Sequence, residues 1–220
     1  MGRAKSAKKV GMSSDEIDAA ALTAGDLLEP RAAVREAALE RLKSLYVSCE
    51  GGVCTTSPEV ARLGLSHATR ALLDPDPEIR VTGVRAIELF AADGEEAVPD
   101  LARLLEDSVG AVRLAALEAL CEFGGAAAPV VPQVAQRLLH ASSPDERCAA
   151  ADCLGNADIE MAHVDALLHA LANDLPAVQA CAAHALGCAL ESARDERRIR
   201  ASLALKRGWR GVASVRSHDG

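Results

Sequence analysis

The sequence has few aromatic residues and no long uninterrupted hydrophobic segment. Only four of its 220 side chains are aromatic: Tyr46, Phe90, Phe123 and Trp209. Folds rich in strands favour aromatic and β-branched residues, whereas the hydrophobic half of this chain consists mainly of Ala and Leu, which are strong helix formers. No apolar run reaches the roughly 18 residues that a transmembrane helix needs. These absences predict an all-α protein without a membrane span.

The N-terminal segment and the cysteines favour an intracellular protein. The segment MGRAKSAKKVGMSSDE is basic and then acidic, and it lacks the apolar core of a signal peptide. The seven cysteines are odd in number and scattered among helical segments, a pattern typical of reduced thiols rather than a disulfide framework. We therefore predict a cytoplasmic location.

Basic residues are scarce in the middle of the chain. The formal net charge is −8, but residues 26–190 alone carry 12 basic and 25 acidic side chains, a net charge of −13. An acidic surface repels nucleic acid and attracts cations. We expect a partner protein with a basic or amphipathic segment, and no nucleic acid.

Common catalytic signatures are also missing. No G-x-x-x-x-G-K, G-x-S-x-G or H-E-x-x-H motif occurs, which argues against the usual phosphate-binding, serine-hydrolase and zinc-protease sites. We expect a non-enzymatic protein with no catalytic residue, cofactor or metal.

The sequence does contain an internal repeat. Five segments share a Val-Arg-like dipeptide followed by small residues and Leu: VREAALERL from Val34, IRVTGVRAI from Ile79, VRLAALEAL from Val112, ERCAAADCL from Glu146 and VQACAAHAL from Val178. Their starts lie 45, 33, 34 and 32 residues apart. Each follows a turn-forming segment such as Asp76-Pro77 or Ser143-Pro144, residues typical of a helix N-terminus. Each copy is therefore predicted to begin a helix.

A second helical segment lies between successive copies. These segments cover 58–73, 97–105, 129–139 and 162–171, and apolar residues recur in them at helical spacing. A single helix pair cannot bury its apolar face, but stacked pairs can. The pattern therefore predicts a solenoid of helix pairs.

The turn with Asp, the Val-Arg dipeptide, the two small residues and the Leu together resemble the HEAT repeat. The period near 33 residues resembles the short HEAT-like repeats of bilin lyases. The resemblance covers residues 26–190 and implies an all-α, armadillo-like fold, a right-handed α-solenoid of about five helix pairs. We expect a disordered basic tail at 1–13, a repeat domain at 14–192, and a basic capping helix with a flexible tail at 193–220.

Alignment of the five copies separates core from surface. One position is always small: Ala38, Gly83, Ala116, Ala150 and Ala182. Another is always large and apolar: Leu42, Ile87, Leu120, Leu154 and Leu186. A third is always polar and is predicted to face water: Glu40, Arg85, Glu118, Asp152 and His184. Arg35, Arg80, Arg113 and Arg147 form a ladder, and Asp74, Asp107 and Asp174 in the preceding turns are placed to pair with the next arginine.

The resemblance also implies where a partner binds, because second helices usually line the concave face of HEAT-like arrays. We predict a scaffold or adaptor that binds a partner protein through this face. The predicted contacts are Arg103, Gln133, Gln136, Arg137, His140, Asp165 and His169. The alternative is a subunit similar to bilin lyases that handles a tetrapyrrole and its acceptor protein, although no lyase active-site residue can be carried over.

Three smaller features lie outside this pattern. Cys181, His184 and Cys188 share a helical stripe that would suit zinc or haem iron, but Cys181 takes a small-residue position where cysteine acts as an apolar side chain. We therefore predict no metal site. Cys49 and Cys54 flank Gly51-Gly52 in the longest connection, which is predicted to be a flexible loop with free thiols.

The segment MGRAKS matches the N-myristoylation pattern, with Gly2 as the acceptor. An acyl chain followed by a basic cluster is a membrane-binding combination. The alternative is a solubilising tail that ends at a helix cap near Ser14. Membrane contact is expected only through this tail.

Overall fold

The computed structural model describes residues 14–50, 53–157 and 161–192. Within them the chain forms ten α-helices: α1 (Ser14–Gly25), α2 (Ala32–Tyr46), α3 (Pro58–Ala71), α4 (Pro77–Leu89), α5 (Val98–Arg103), α6 (Gly110–Glu122), α7 (Val131–His140), α8 (Pro144–Asn156), α9 (Met161–Asn173) and α10 (Pro176–Ser192). Short 3-10 segments cover Asp26–Leu28, Glu95–Ala97, Leu104–Glu106 and Gly124–Val130. The fold is the predicted all-α solenoid. The predicted basic tail at 1–13 and the capping helix and tail at 193–220 lie outside the described residues.

One connection contains strands. Residues Val47–Glu50 (β1) and Val53–Thr56 (β2) pair antiparallel, with Cys49 opposite Cys54 in the register. The prediction of a flexible loop at this place is therefore wrong. The segment is rich in Val, Thr and Cys around a Gly-Gly dipeptide, and β-branched residues flanking two glycines favour a hairpin.

The predicted turn residues do cap the helices. Ser57 accepts a hydrogen bond from the amide of Val60, Asp76 from that of Glu78, and Ser143 from that of Glu146. A proline occupies the first turn in each case: Pro58, Pro77 and Pro144. These side chains satisfy amides that a helix N-terminus leaves without partners, so the turns stop one helix and start the next.

The chain divides into two compact units, Met1–Val130 and Val131–Gly220. We call α2, α4, α6, α8 and α10, which begin with the repeated motif, the ladder helices, and α3, α5, α7 and α9 the second helices. In the first unit α3 packs against α4, and α4 against α6. In the second unit α7 packs against α8, α9 against α10, and α8 against α10. Each of α3, α7 and α9 thus packs closely against the ladder helix that follows it.

The internal alignment assigned core and surface correctly. The large apolar position and the small position are buried in all five copies, whereas the shared polar position is exposed in all five. Close helix approach explains the small position. A Cβ atom on Gly83 would lie 2.8 Å from the carbonyl oxygen of Ala68 and 2.9 Å from the Cβ atom of Ala71. Gly155 on α8 is similar, since its Cβ would lie 2.8 Å from the Cα atom of Ala185 on α10.

Candidate partner-binding surfaces

The arginine ladder forms two bidentate ion pairs between successive repeats. Arg80 Nε and Nη2 donate to the two carboxylate oxygens of Asp107 at 2.8 and 2.9 Å. Arg147 makes the same pair with Asp174, at 2.9 Å for both bonds. The sequence-based pairing of each aspartate with the next arginine is wrong for these two residues, because each pairs with the arginine of the preceding repeat.

Each ladder arginine also holds the turn that precedes its own helix. Arg80 Nη1 donates to the carbonyl oxygens of Asp74 and Pro75 at 2.8 and 3.0 Å. Equivalent bonds run from Arg35 to Glu29 and Pro30, from Arg113 to Asp107 and Ser108, and from Arg147 to Ala141 and Ser142. The arginines therefore fix the turns and leave little of their charge for a ligand.

The electrostatics of the two aspartates agree with this structural role. Burial alone would raise the pKa of Asp107, but hydrogen bonds from Arg80 and from the Val109 amide outweigh it and lower the pKa below its usual value. Burial also opposes ionisation of Asp174, but the Leu175 amide and Arg147 lower its pKa. Both carboxylates are held ionised because they accept hydrogen bonds in the charged form.

A groove of about 400 Å³ lies on the ladder helices of the first unit. We call it the ladder groove. It is formed by α2, α4 and the start of α6, and its lining residues are Ala32, Arg35, Glu36, Leu39, Pro77, Glu78, Val81, Thr82, Arg85, Val109 and Ala111. Leu39, Val81 and Val109 are only half-buried, so the groove offers apolar contact area that no part of the described chain covers.

The ladder groove is lined by two acidic and two basic side chains: Glu36, Glu78, Arg35 and Arg85. Arg35 is 3% exposed and already donates to Thr82 at 3.1 Å and to Glu78 at 2.9 Å. Glu36 and Glu78 are exposed at the groove. The remaining cation, Arg85, is exposed.

An acidic cluster continues from the groove along α4 and α6. Burial, and then repulsion from Glu122 and Glu118, raise the pKa of Glu88, while Arg85 partly offsets them. Acidic side chains that lie close together create a negative potential. A cation placed beside this cluster would therefore be stabilised.

A second groove, of about 480 Å³, lies on the second helices of the first unit. It is lined by α3 and by the segment that leads into α5, and includes Arg62, Asp93, Glu96 and Asp100. Asp93 accepts a hydrogen bond from the Tyr46 hydroxyl at 2.9 Å. Burial, reinforced by Asp93, raises the pKa of Tyr46 to about 12.

The predicted contact residues on the second helices are mostly accessible. Six are exposed: Arg103, Gln133, Gln136, His140, Asp165 and His169. Arg103 lies in the first unit and pairs with Asp100 at 2.6 Å, whereas the others lie in the second unit. Arg137 is different, because it is half-buried and forms an ion pair with Glu146, which is 2% exposed. Its guanidinium balances a buried carboxylate in the core of the second unit.

The structure separates the Cys181, His184 and Cys188 stripe into two contacts. The Sγ atom of Cys188 lies 3.7 Å from Nε2 of His184, while Cys181 contacts Cys148 on α8. Within 14–50, 53–157 and 161–192, no group of three or more His, Cys, Asp or Glu side chains is arranged to hold a metal ion. Gly2, the predicted lipidation site, lies outside these ranges.

The reasoning from sequence missed the ladder groove. One repeat position could have indicated it. This position points away from the core and holds Glu36 in the first repeat, but the apolar residues Val81 and Leu114 in the next two. Both apolar side chains are half-buried. An apolar residue next to the shared polar position is therefore a sign of a contact surface.

In the described part of the chain, no helix is both long and apolar enough to cross a bilayer.

Comparison with known proteins identifies the repeat. Residues 65–131 match the family model of HEAT repeats. No curated protein matches the sequence. Among solved structures, the chain is similar to a computationally designed armadillo repeat protein for modular peptide recognition, with 17% identity, a TM-score of 0.55, and coverage of 91% of this chain and 93% of the other. It is also similar to an engineered protein, with 18% identity, a TM-score of 0.55, and coverage of 78% and 79%. The chain therefore contains a segment, residues 65–131, that matches HEAT repeats, and it has the α-solenoid fold.

Proposed function

We propose that this protein is a scaffold that binds a segment of a partner protein in the ladder groove. The observation that carries the proposal is an apolar groove of about 400 Å³, formed by α2, α4 and the start of α6, together with the acidic cluster of Glu88, Glu118 and Glu122 on α4 and α6. HEAT and armadillo repeats generally mediate protein–protein interactions, and the designed armadillo protein of similar fold was made for peptide recognition. Both facts support a binding role.

The groove favours a short segment that combines an apolar side chain with Lys or Arg. Leu39, Val81 and Val109 provide apolar contact for a side chain, which gains about 25 cal/mol for each Å² of apolar surface removed from water. Glu36 at the groove and Glu88 on the same helix as Arg85 provide partners for a cation. Complementary charge of this kind raises association rates and selects among partners. The occupant is therefore a basic, partly apolar segment.

The second helices provide a second candidate surface. The observation in its favour is the groove of about 480 Å³ on α3 and the segment before α5, whose acidic residues include Asp93, Glu96 and Asp100. Arg103 borders this surface through its pair with Asp100. The proposed contacts on second helices of the second unit are Gln133, Gln136, Arg137, His140, Asp165 and His169.

The two surfaces can be distinguished with matched variants of the full-length chain. Peptides selected from a random phage-displayed library provide the probe, and their affinities are measured by fluorescence polarisation. Val81→Arg and Glu36→Lys change the ladder groove, whereas Arg103→Glu and Gln136→Glu change the second helices. All four side chains are at least partly exposed, so we expect each variant to unfold at about the wild-type temperature.

We expect the selected peptides to contain Lys or Arg beside an apolar residue. The ladder-groove variants should weaken binding about tenfold or more, which corresponds to about 1.4 kcal/mol, and the second-helix variants should bind normally. The reverse pattern would assign binding to the second helices. Selection of acidic peptides, or equal affinity for all five proteins, would contradict a ligand site at either surface.

A bilin-lyase-like role is the alternative that the repeat period suggests. It predicts a change in visible absorbance when a bilin is added to the full-length chain. An unchanged spectrum would exclude it.

A cytoplasmic location is also part of the proposal. The cysteines with described side chains, Cys121, Cys148, Cys153, Cys181 and Cys188, form no disulfide, which agrees with a reducing compartment.

A further inference from the structure

The second unit places two cysteines side by side on adjacent ladder helices. Cys148 lies in the first half of α8 and Cys181 in the first half of α10, and these two helices pack against each other. Their backbones approach closely near Gly155 and Ala185, where a Cβ atom on the glycine would lie 2.8 Å from the alanine Cα. Such close approach brings short side chains on facing positions within reach of each other.

The side chains of Cys148 and Cys181 interact across the packed helices α8 and α10, and this interaction raises the pKa of Cys148. A side chain at the repeat position of Cys181 also contacts the preceding ladder helix in the first unit. Thr82, which takes the same repeat position as Cys181, accepts a hydrogen bond from Arg35 on the preceding ladder helix at 3.1 Å. This repeat position therefore faces the preceding ladder helix in both units.

We propose that Cys148 and Cys181 form a reversible disulfide between α8 and α10 when the protein meets an oxidising disulfide such as oxidised glutathione. Both thiols are partly exposed, so a small oxidant can reach them. Because the reduced chain already holds them in contact, little rearrangement is needed to reach the Cα separation of about 4.4–6.8 Å that disulfides require.

The exchange runs in two steps. The Cys181 thiolate attacks one sulfur of oxidised glutathione, so a mixed disulfide forms and one glutathione thiolate leaves. Cys148 then gives up its proton to solvent and attacks the Cys181 sulfur, so the protein disulfide forms and a second glutathione leaves. Two protein thiols are oxidised and one molecule of oxidised glutathione is reduced to two thiols.

The order of attack follows from the environment of Cys148. Burial, the contact with Cys181 and nearby acidic groups raise the pKa of Cys148 to about 12. A thiol that keeps its proton is a poor nucleophile, so Cys181 is the attacking group and Cys148 the resolving one.

The other described cysteines are less suitable. Cys153 is 1% exposed. Cys188 lies two helical turns beyond Cys181 and contacts His184 at 3.7 Å. Cys121 lies on α6 in the other unit. Among these five cysteines, we therefore expect Cys148 and Cys181 to form a disulfide with each other first.

Cross-linking should stabilise the second unit. The bond would close a loop of about 33 residues and restrict the unfolded chain. We expect oxidation to raise the melting temperature of the full-length protein by roughly 5–10 °C, and dithiothreitol to reverse the rise.

Peptide mapping tests the connectivity directly. The full-length protein is incubated with oxidised glutathione, free thiols are alkylated, and the chain is cleaved before aspartate with endoproteinase Asp-N. Cleavage yields fragment 145–151, which contains Cys148, and fragment 174–194, which contains Cys181 and Cys188. Non-reducing mass spectrometry should find these two fragments joined, and dithiothreitol should separate them.

Matched variants show which cysteine of fragment 174–194 is joined to Cys148. Cys188→Ser should retain the link and the rise in melting temperature, whereas Cys181→Ser and Cys148→Ser should lose both. A link that persists in Cys181→Ser, or wild-type protein that carries only glutathione adducts, would overturn the proposal. The peptide-binding test changes neither Cys148 nor Cys181, so the two proposals succeed or fail separately.

Discussion

Replacing Asp107 with Ala should lower the free energy of unfolding by more than the loss of an exposed ion pair does. The substitution removes two charge-assisted hydrogen bonds to Arg80, at 2.8 and 2.9 Å, and the bond of 2.8 Å that Asp107 accepts from the Val109 amide. The side chains of Arg80 and Asp107 are only 12% and 10% exposed. The variant therefore leaves a largely buried guanidinium without its counterion.

The size of the effect follows from these contacts. Loss of one partner from a fully buried pair costs about 3–5 kcal/mol, and loss of a hydrogen bond such as that from the Val109 amide costs about 0.5–1.5 kcal/mol. Arg80 keeps its bonds to the carbonyl oxygens of Asp74 and Pro75, which lowers the cost. We expect the free energy of unfolding to fall by about 2–4 kcal/mol.

Asp100→Ala provides the matched control. Asp100 also pairs with an arginine, Arg103, but that pair joins neighbouring turns of one helix and its side chains are 32% and 66% exposed. Such pairs contribute about 0.3–0.5 kcal/mol. Urea unfolding of the full-length chain, followed by circular dichroism at the helix band, measures both variants. Equal losses for Asp107→Ala and Asp100→Ala would refute the argument that burial makes the Arg80 pair strong.

The pH dependence supplies an independent check. The folded-state pKa of Asp107 lies below its usual value, so its contribution is fully present above the unfolded pKa of about 3.9. It is lost as pH falls through the folded pKa. The stability difference between wild type and Asp107→Ala should therefore be constant near neutral pH and shrink below about pH 4. A difference that grows in acid would contradict this sign.

Two further predictions concern single residues. Tyr46 is the only tyrosine, and absorbance titration should show its phenol ionising with a midpoint of about 12. Because this pKa is raised, stability should be lost as pH rises from about 10 through 12. A midpoint near 10 would show that neither the burial of the phenol nor its bond to Asp93 persists in solution. Gly83→Ala should destabilise the protein by about 1–3 kcal/mol, because the new Cβ would lie 2.8 Å from a backbone oxygen, whereas Gly187→Ala, with nothing within 4 Å of its new Cβ, should stabilise helix α10 by about 0.5–1 kcal/mol; thermal unfolding that ranks the two glycine variants in the opposite order would refute the packing argument.

The repeat made most of the fold predictable. Each copy has Leu or Ile at the same buried position and a polar residue at the same exposed position. Aligning the five copies therefore separated core from surface without an alignment of related proteins. Helix starts were equally clear, because Ser57, Asp76 and Ser143 cap helices through interactions that span only two or three residues. Local interactions of this kind depend on sequence neighbours alone.

Features that depend on contacts between repeats were not predictable. The pairing of Asp107 with Arg80 rather than Arg113 is decided by how α4 packs against α6. The strand pair of Val47–Glu50 with Val53–Thr56 lies outside the repeated motif, so comparison of the copies could not predict it. The ladder groove could not be predicted because residues of three different helices form it. The thiol contact of Cys148 with Cys181 likewise needs the packing of α8 against α10.

The bonds from ladder arginines to the turns before them determine where the chain tolerates changes in length. Each arginine reaches carbonyl oxygens five and six residues earlier, so one added or deleted residue between the turn and the arginine would move the acceptors out of reach. The connections that follow the ladder helices differ in length: 11 residues (47–57) separate α2 from α3, whereas four (157–160) separate α8 from α9. We therefore expect an insertion to be tolerated better in these connections than between a turn and its arginine.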